Sequence, residues 1–253
     1  VFPHERQKEI LRLARVNGRV DVVALAEELE VTTETVRRDL TVLERAGVLR
    51  RVHGGAIPVE RLGFEPALAA RDAVMVAEKE RIAKAALAEL PDEGVILLDA
   101  GSTTTRLADV LPTDRDLTVV VNSPPLATRL ATHTNMSVII LGGRVRGRTL
   151  AAVDDWGWQP LRQMCIDVAF MATNGYSFER GLTTPDPAEA AVKRAMMAAA
   201  RRVVLLADHT KFGNDYFACF GALADVDVVV TDSGLDESLV GEIAGAGPRV
   251  LRA

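Results

Sequence analysis

From residue 95 to the end of the chain, short apolar runs recur with helix-patterned segments between them. The runs fall at 95–99, 117–121, 137–141, 167–171, 203–206, 226–231 and 249–251, and most are almost unbroken Val, Ile and Leu. A strand without polar alternation has to be buried on both faces, and intervening helices are what can cover it. The pattern therefore predicts a mainly parallel, Rossmann-like α/β sheet with helices on both sides. A hydrophobic fraction of 48% over 253 residues is ample for such a core and excludes a disordered chain.

The first 57 residues follow a different period. A helix is predicted over 4–16, with Ile10, Leu11, Leu13 and Ala14 inward and Asn17-Gly18 at its end. Val22, Leu25, Ala26 and Leu29 mark a short second helix. After a break at Val31-Thr32, a third begins near Thr33, with Val36, Leu40 and Leu43 on one face and Gly47 as its stop. The opposite face carries Glu34, Arg38, Thr41 and Arg45, flanked by Thr35 and Arg37. Two short helices in this relation, followed by a β-wing over 49–57 turning at Gly54-Gly55, describe a winged helix-turn-helix. Its expected DNA contacts are Thr33, Thr35, Arg37 and Arg38 on the helix and Arg51 and His53 on the wing. The competing reading is the solvated face of any small helical domain.

Charge limits how such a module could bind. Residues 1–57 hold ten Lys/Arg against nine Asp/Glu, while the remainder holds 20 against 26, giving a net charge of −5. Affinity for DNA would then depend on local arginine placement and on pairing of subunits, and the acidic bulk opposes indiscriminate coating. The division predicted is a DNA-binding domain at 1–57, a linker at 58–76 where Pro58, Gly63 and Pro66 gather, and a sensor domain at 77–253. Cys165 and Cys219 lie in apolar runs without metal-like spacing and are expected to be reduced core residues. No apolar run approaches a membrane span and no signal peptide is evident, so the expectation is a cytoplasmic protein.

Ligands of open parallel sheets bind beyond the carboxyl ends of the strands. Here those ends are polar: Asp99 with Gly101, Ser102, Thr103 and Thr104; Asn122-Ser123; Asn174-Gly175; and Asp208-His209-Thr210-Lys211. Glycine, hydroxyls and a helix N-terminus suit a phosphate, although Ser102 or Thr103 could equally cap the helix. Lys211 could neutralise the phosphate, while Asp99, Asn122 and Asp208 address sugar hydroxyls. The recurrence at four strand ends favours a small phosphorylated metabolite. Asp186, Pro187 and Glu189 read as a helix start with a capping box, and Lys193 as the i+4 partner of Glu189. The basic run 142–148 could clamp a phosphate or form an exposed hairpin, with Arg144 the stronger candidate and Arg146 and Arg148 the weaker ones. No metal or cofactor is implied.

The string Thr-Val-Arg-Arg-Asp-Leu at 35–40, with Glu5-Arg6 before it and Arg51-Val52-His53-Gly54-Gly55 after, resembles the DeoR/GlpR family of bacterial transcription regulators. Asp99-Ala-Gly-Ser-Thr-Thr, Asn122-Ser123, Gly142-Gly143, Glu189 to Arg194, Asp208 to Gly213 and Asp227 to Asp232 look like that family's sensor domain. The resemblance implies a fold similar to ribose-5-phosphate isomerase and CoA transferases and a phosphorylated sugar that controls DNA affinity. It also places Glu189 and Lys193 at the ligand cleft. The segment 172–187 looks most like the fructose-operon repressor group, which implies fructose 1-phosphate. One departure stands out: Val153 is followed by Asp154-Asp155 where much of the family has glycine. The function expected is a repressor of sugar catabolism genes, acting as a homodimer or larger homo-oligomer on operator DNA. The alternative is a sugar-phosphate isomerase-like enzyme with an accessory DNA-binding domain.

Overall fold

The computed structural model describes residues 3–45, 48–58, 67–133 and 135–253. The predicted helix stop at Gly47 and the linker residues Gly63 and Pro66 lie outside them. Helix α1 spans Pro3–Asn17 and closes on Gly18, which takes φ +82° and donates its amide to the Ala14 carbonyl. Helix α2, Val22–Glu28, starts at Asp21, whose carboxylate accepts the amides of Val23 and Ala24. Helix α3 covers Thr33–Arg45. A two-residue strand β1, Val20–Asp21, joins the wing strands β2, Leu49–Val52, and β3, Gly55–Pro58, in the order β1-β3-β2. The core of this domain holds Ile10, Ala14, Leu25, Val36, Leu40 and Leu49, so the predicted inward positions do face inward. A deeply placed ion pair, Arg6 to Asp39 at 2.5 Å, fixes α1 against α3.

Helices α4, Leu68–Asp72, and α5, Val76–Ala86, lead into a seven-stranded sheet. Its strands are β4 (Gly94–Leu98), β5 (Leu117–Val121), β6 (Met136–Ile140), β9 (Ile166–Ala172), β12 (Ala200–Leu206), β14 (Val228–Thr231) and β15 (Arg249–Arg252). All pairings are parallel, in the order β15-β14-β12-β9-β4-β5-β6. Successive residues alternate between two cores: Leu97 faces one layer with Ala169 and Leu205, while Ile96 and Leu98 face the other with Phe170 and Val204. Helices α6 (Ser102–Asp109) and α7 (Pro124–Leu130) follow β4 and β5, α9 (Pro187–Ala199) precedes β12, and α10 (Glu237–Gly245) precedes β15. Every predicted strand is present within a residue or two, except that β12 begins three residues early. No described helix is long and apolar enough to cross a membrane.

Three parts escaped the periodicity. A hairpin pairs β7, Arg144–Val145, with β8, Ala152–Val153, ahead of the short helix α8, Asp155–Trp158. An antiparallel sheet orders β10 (Gly175–Ser177), β11 (Gly181–Thr184) and β13 (Ala218–Gly221) as β10-β11-β13. Both cysteines are exposed free thiols rather than core residues, because Cys165 sits in the turn before β9 and Cys219 points outward from β13. The two domains also touch. Arg50 of β2 pairs with Asp215 at 2.8 Å, and Arg19 donates to the carbonyls of both His53 and Thr210.

Asp154, the acid standing at a glycine position of the resembling family, takes φ +76° and ψ 173°. That region belongs almost entirely to glycine and costs about 1–3 kcal/mol for other residues. Its carboxylate holds Arg144 at 2.9 Å, an exposed pair that returns about 0–1 kcal/mol. Replacing Asp154 by glycine is expected to raise stability by about 1 kcal/mol, read as a higher urea midpoint at unchanged slope. A lower midpoint would show that the ion pair outweighs the strain.

Candidate functional site

The chain order of the large sheet reverses once. Strands β4, β5 and β6 run outward in one direction, and the chain then returns to lay β9 on the other side of β4. At such a switch point the loops leaving adjacent strand ends part in opposite directions and open a crevice. Asp99 stands at that point, fully buried, and ties the two strands together by accepting the Ala172 amide at 3.0 Å. Lys193, buried on α9, donates to the same carboxylate and to the Ala172 carbonyl at 2.9 Å. Burial pushes the Asp99 carboxyl upward against the pull of Lys193, and its Oδ1 has no hydrogen-bond partner among the described residues.

The first turn of α6 lies beside this pair. Gly101 packs against Ala172, where an added Cβ would sit 2.7 Å from the Ala172 Cβ. Ser102, Thr103 and Thr104 are all buried. Gly101 occupies the N-cap position and no side chain caps the helix. The hydroxyls of Thr104 and Thr105 bond the Gly101 carbonyl, whereas Ser102 and Thr103 have no protein hydrogen bond among the described residues. The helix-capping alternative for Ser102 and Thr103 is thereby removed. Asn122 braces the crevice by accepting the Ala100 amide at 2.8 Å, so its carbonyl is spent on the fold.

Glu189 departs from its sequence reading. Asp186 caps α9 as expected, accepting the amides of Ala188 and Glu189. The Glu189 side chain does not close a capping box, and Lys193 turns to Asp99 rather than pairing with it. Instead Glu189 accepts hydrogen bonds from Arg146 at 2.6 Å, from Thr184 at 3.3 Å and from Thr149. Arg146 also reaches Asp186 at 3.1 Å. The ranking of the basic run is therefore reversed. Arg144 is mostly exposed and held by Asp154 outside the cluster, while Arg146 is nearly buried within it. Distance along the chain from a strand end is a poor guide because the β7–β8 hairpin folds Arg146 back onto Glu189 and Asp186.

On the far side, Asp208 is buried beyond β12 and accepts the amide of Thr210 at 3.1 Å and its hydroxyl. Lys211 lies in the same 3₁₀ turn, His209–Lys211, half-buried. His209 is oriented by the carboxylate of Asp232 at 2.7 Å from Nδ1. The hydroxyls of Tyr176 and Thr231 are buried without hydrogen-bond partners among the described residues. Lys79, near the start of α5, closes the preceding turn by donating to the carbonyls of Arg71 and Val74. Burial lowers its pKa to about 8, with Asp208 pulling the other way. Arg146, Thr149, Thr184, Lys79, His209 and Tyr176 were missed or undervalued, and only Lys79 and His209 carried a readable signal, as ionisable residues in or beside polar motifs. The whole arrangement offers ammonium, guanidinium and hydroxyl donors beside carboxylates, a set suited to an anion carried on a polyol. Among the described residues no His, Cys, Asp and Glu cluster could hold a metal.

The DNA-facing candidates divide. Thr33, Thr35, Arg37 and Arg38 lie on α3, with the two arginines well exposed and near Glu34. Arg51 reaches Thr41 at 3.3 Å, and Thr41 in turn bonds the Arg37 carbonyl, so wing and helix present one surface. His53 is turned elsewhere: its ring meets Phe212 of the sensor domain edge-on, centroids 6.1 Å apart.

Residues 6–61 match the DeoR-like helix-turn-helix domain, and residues 74–233 match the DeoR C terminal sensor domain. The chain belongs to the DeoR family. Its DeoR-family relatives include the HTH-type transcriptional regulator GlpR of Haloferax volcanii, 36% identical over 99% of this chain and 98% of that protein. An uncharacterized HTH-type transcriptional regulator FruR of Bacillus subtilis is 35% identical over 84% and 86%. The transcriptional repressor AccR of Agrobacterium fabrum is 33% identical over 91% and 90%. Among solved structures, a D-ribose-5-phosphate isomerase in complex with phospho-erythronic acid overlaps 53% of this chain and 52% of that one, with 21% identity and a TM-score of 0.40.

Glu189 supplies a pH test of the cluster. Burial pushes its carboxyl up, but the Lys193 charge, the Thr149 hydrogen bond and Arg146 outweigh that, and the net shift is downward from 4.5. A depressed acid stabilises the fold above its unfolded value and loses that contribution as pH falls through the folded one. Stability of the wild type is therefore expected to fall below about pH 4.5 more steeply than that of Glu189→Gln. Parallel urea-midpoint curves for the two proteins in that range would contradict the placement of Glu189.

Proposed function

We propose that this DeoR-family regulator is a repressor whose grip on operator DNA is set by a phosphorylated sugar bound at the switch point of the sensor sheet. The observation that carries this reading is the pair of unspent Ser102 and Thr103 hydroxyls at the end of β4 beside Asp99 and Lys193, with Arg146 drawn to Glu189 on the same helix as Lys193 and with Asp208 and Lys211 at the end of β12, two strands along the sheet. The phosphate would meet the α6 N-terminus and Lys211, and the sugar hydroxyls the buried carboxylates. Fructose 1-phosphate is the first candidate, from the likeness of residues 172–187 to the fructose-operon group. A homodimer would set two α3 helices on the half-sites of a pseudo-palindrome.

The isomerase alternative is the weaker one. Asp99, the carboxylate best placed to move a proton at the crevice, is engaged by Lys193 and the Ala172 amide. Fold kinship does not carry chemistry, and the relatives are named as regulators.

Two measurements test the reading. Arg38→Ala is expected to weaken operator binding and flatten the slope of log affinity against log salt by about one unit per half-site. An unchanged slope across a salt series would remove Arg38 from the interface. Lys211→Ala is expected to keep operator affinity while weakening fructose 1-phosphate binding by about tenfold or more, a charge-assisted contact's share. Release of labelled operator at wild-type sugar concentrations would end that assignment. A thermal-shift panel of phosphorylated and plain sugars identifies the effector.

A further inference from the structure

The turn that carries Asp208 and Lys211 does not end at the crevice. Its other side is the surface on which the winged domain sits. The Thr210 side chain and amide are bound to Asp208, while the Thr210 carbonyl accepts Arg19 Nη1 of the winged domain at 2.9 Å. Asn214 donates to the same carbonyl at 2.5 Å and so locks the turn in shape. Phe212 is buried with its ring edge against Tyr176, Phe178 and His53. Gly213 donates to the Tyr176 carbonyl and lies so close to His53 that a Cβ would run into it. Asp215, buried, accepts the Ser177 hydroxyl at 2.6 Å and holds Arg50 of β2 at 2.8 Å. One segment of nine residues, 208–216, thus carries the candidate effector residues Asp208 and Lys211 and touches the winged domain through Thr210, Phe212, Gly213 and Asp215.

We propose that this segment is the coupling element of the protein, with the Asp215–Arg50 ion pair and the Thr210–Arg19 hydrogen bond as its hold on the winged domain. The inference rests on the sugar-phosphate reading above and adds how that site acts. An anion drawn to Lys211 repositions a turn whose amide and hydroxyl are already committed to Asp208. Any rotation of the turn carries the Thr210 carbonyl away from Arg19. Because Arg19 also holds the His53 carbonyl, the wing follows. A ligand changes DNA affinity only by binding two arrangements unequally, and this contact is an arrangement the ligand can disfavour. Neither Arg50 nor Asp215 belongs to the residues assigned to sugar or DNA, so the coupling can be removed while both binding events remain.

The test uses the full chain, fructose 1-phosphate and a labelled fragment of its own promoter. Wild type, Asp215→Asn, Arg50→Gln and the exchange Arg50→Asp with Asp215→Arg are compared. The expected result is that both single variants bind the fragment and show the wild-type thermal shift with the sugar phosphate. Their sugar-induced change in DNA affinity should shrink about fivefold or more, within the usual range of allosteric coupling. The exchange should restore part of it. Full sugar-induced release in both single variants overturns the coupling role while leaving the effector reading intact. A wild-type protein that binds the fragment but shows neither thermal shift nor release with any phosphorylated sugar overturns the effector reading, and the coupling with it.

Discussion

Asp99 and Lys193 form a buried ion pair at the place where the sheet changes direction, and most of the site is arranged by it. Removing two charges from water is costly, and such a pair is weak evidence of stability. What it supplies here is position. The carboxylate also takes the Ala172 amide and the ammonium the Ala172 carbonyl, so β4, β9 and α9 are pinned at one point. One helical turn earlier on α9, Glu189 is then aimed at the β7–β8 hairpin and draws Arg146 inward. In the first turn of α6 the Ser102 and Thr103 hydroxyls are left without a protein hydrogen bond among the described residues, while those of Thr104 and Thr105 are spent on Gly101.

The large sheet was legible because its strands are buried on both faces and read as unbroken apolar runs flanked by helical periods. The winged domain was legible because two short amphipathic helices and a glycine turn come with the string Thr-Val-Arg-Arg-Asp-Leu at 35–40, which periodicity alone would have left open to the reading of a solvated helical face. The small antiparallel sheet was not: Gly175–Ser177 and Gly181–Thr184 are wholly buried strands with polar sequences, stabilised by cross-hydroxyl bonds such as Thr173 to the Gly175 and Thr183 carbonyls. The positions of the candidate residues within helices and at strand ends were readable from their spacing. The partners were not, since spacing suggested Lys193 with Glu189 and tertiary packing instead gave Lys193 to Asp99. Arg146 shows the same limit, because a hairpin decided which arginine of a basic run points inward. Asp154 shows that an acid can hold a glycine-like backbone at a departure the sequence itself flagged.

Charge follows the same division of labour. The sensor half carries the acidic excess, and the winged half is nearly balanced, with Arg37 and Arg38 exposed on α3. Long-range attraction to nucleic acid is therefore small, and binding has to come from local placement of side chains rather than from overall charge. A regulator built this way is sensitive to orientation, since there is little background affinity to mask a misplaced helix. That makes the seat of the winged domain on the sensor domain more than a structural convenience.

Gly213 gives that seat a mark that can be searched for. Its backbone is in the left-handed region at φ +74°, and the wing approaches so closely that no side chain fits. A homologous chain with a larger residue at this place could not bring its two halves into the same relation. Sorting relatives by this single position, together with an arginine at the place of Arg50 and an acid at that of Asp215, would separate chains able to adopt the docked posture from those that must swing free.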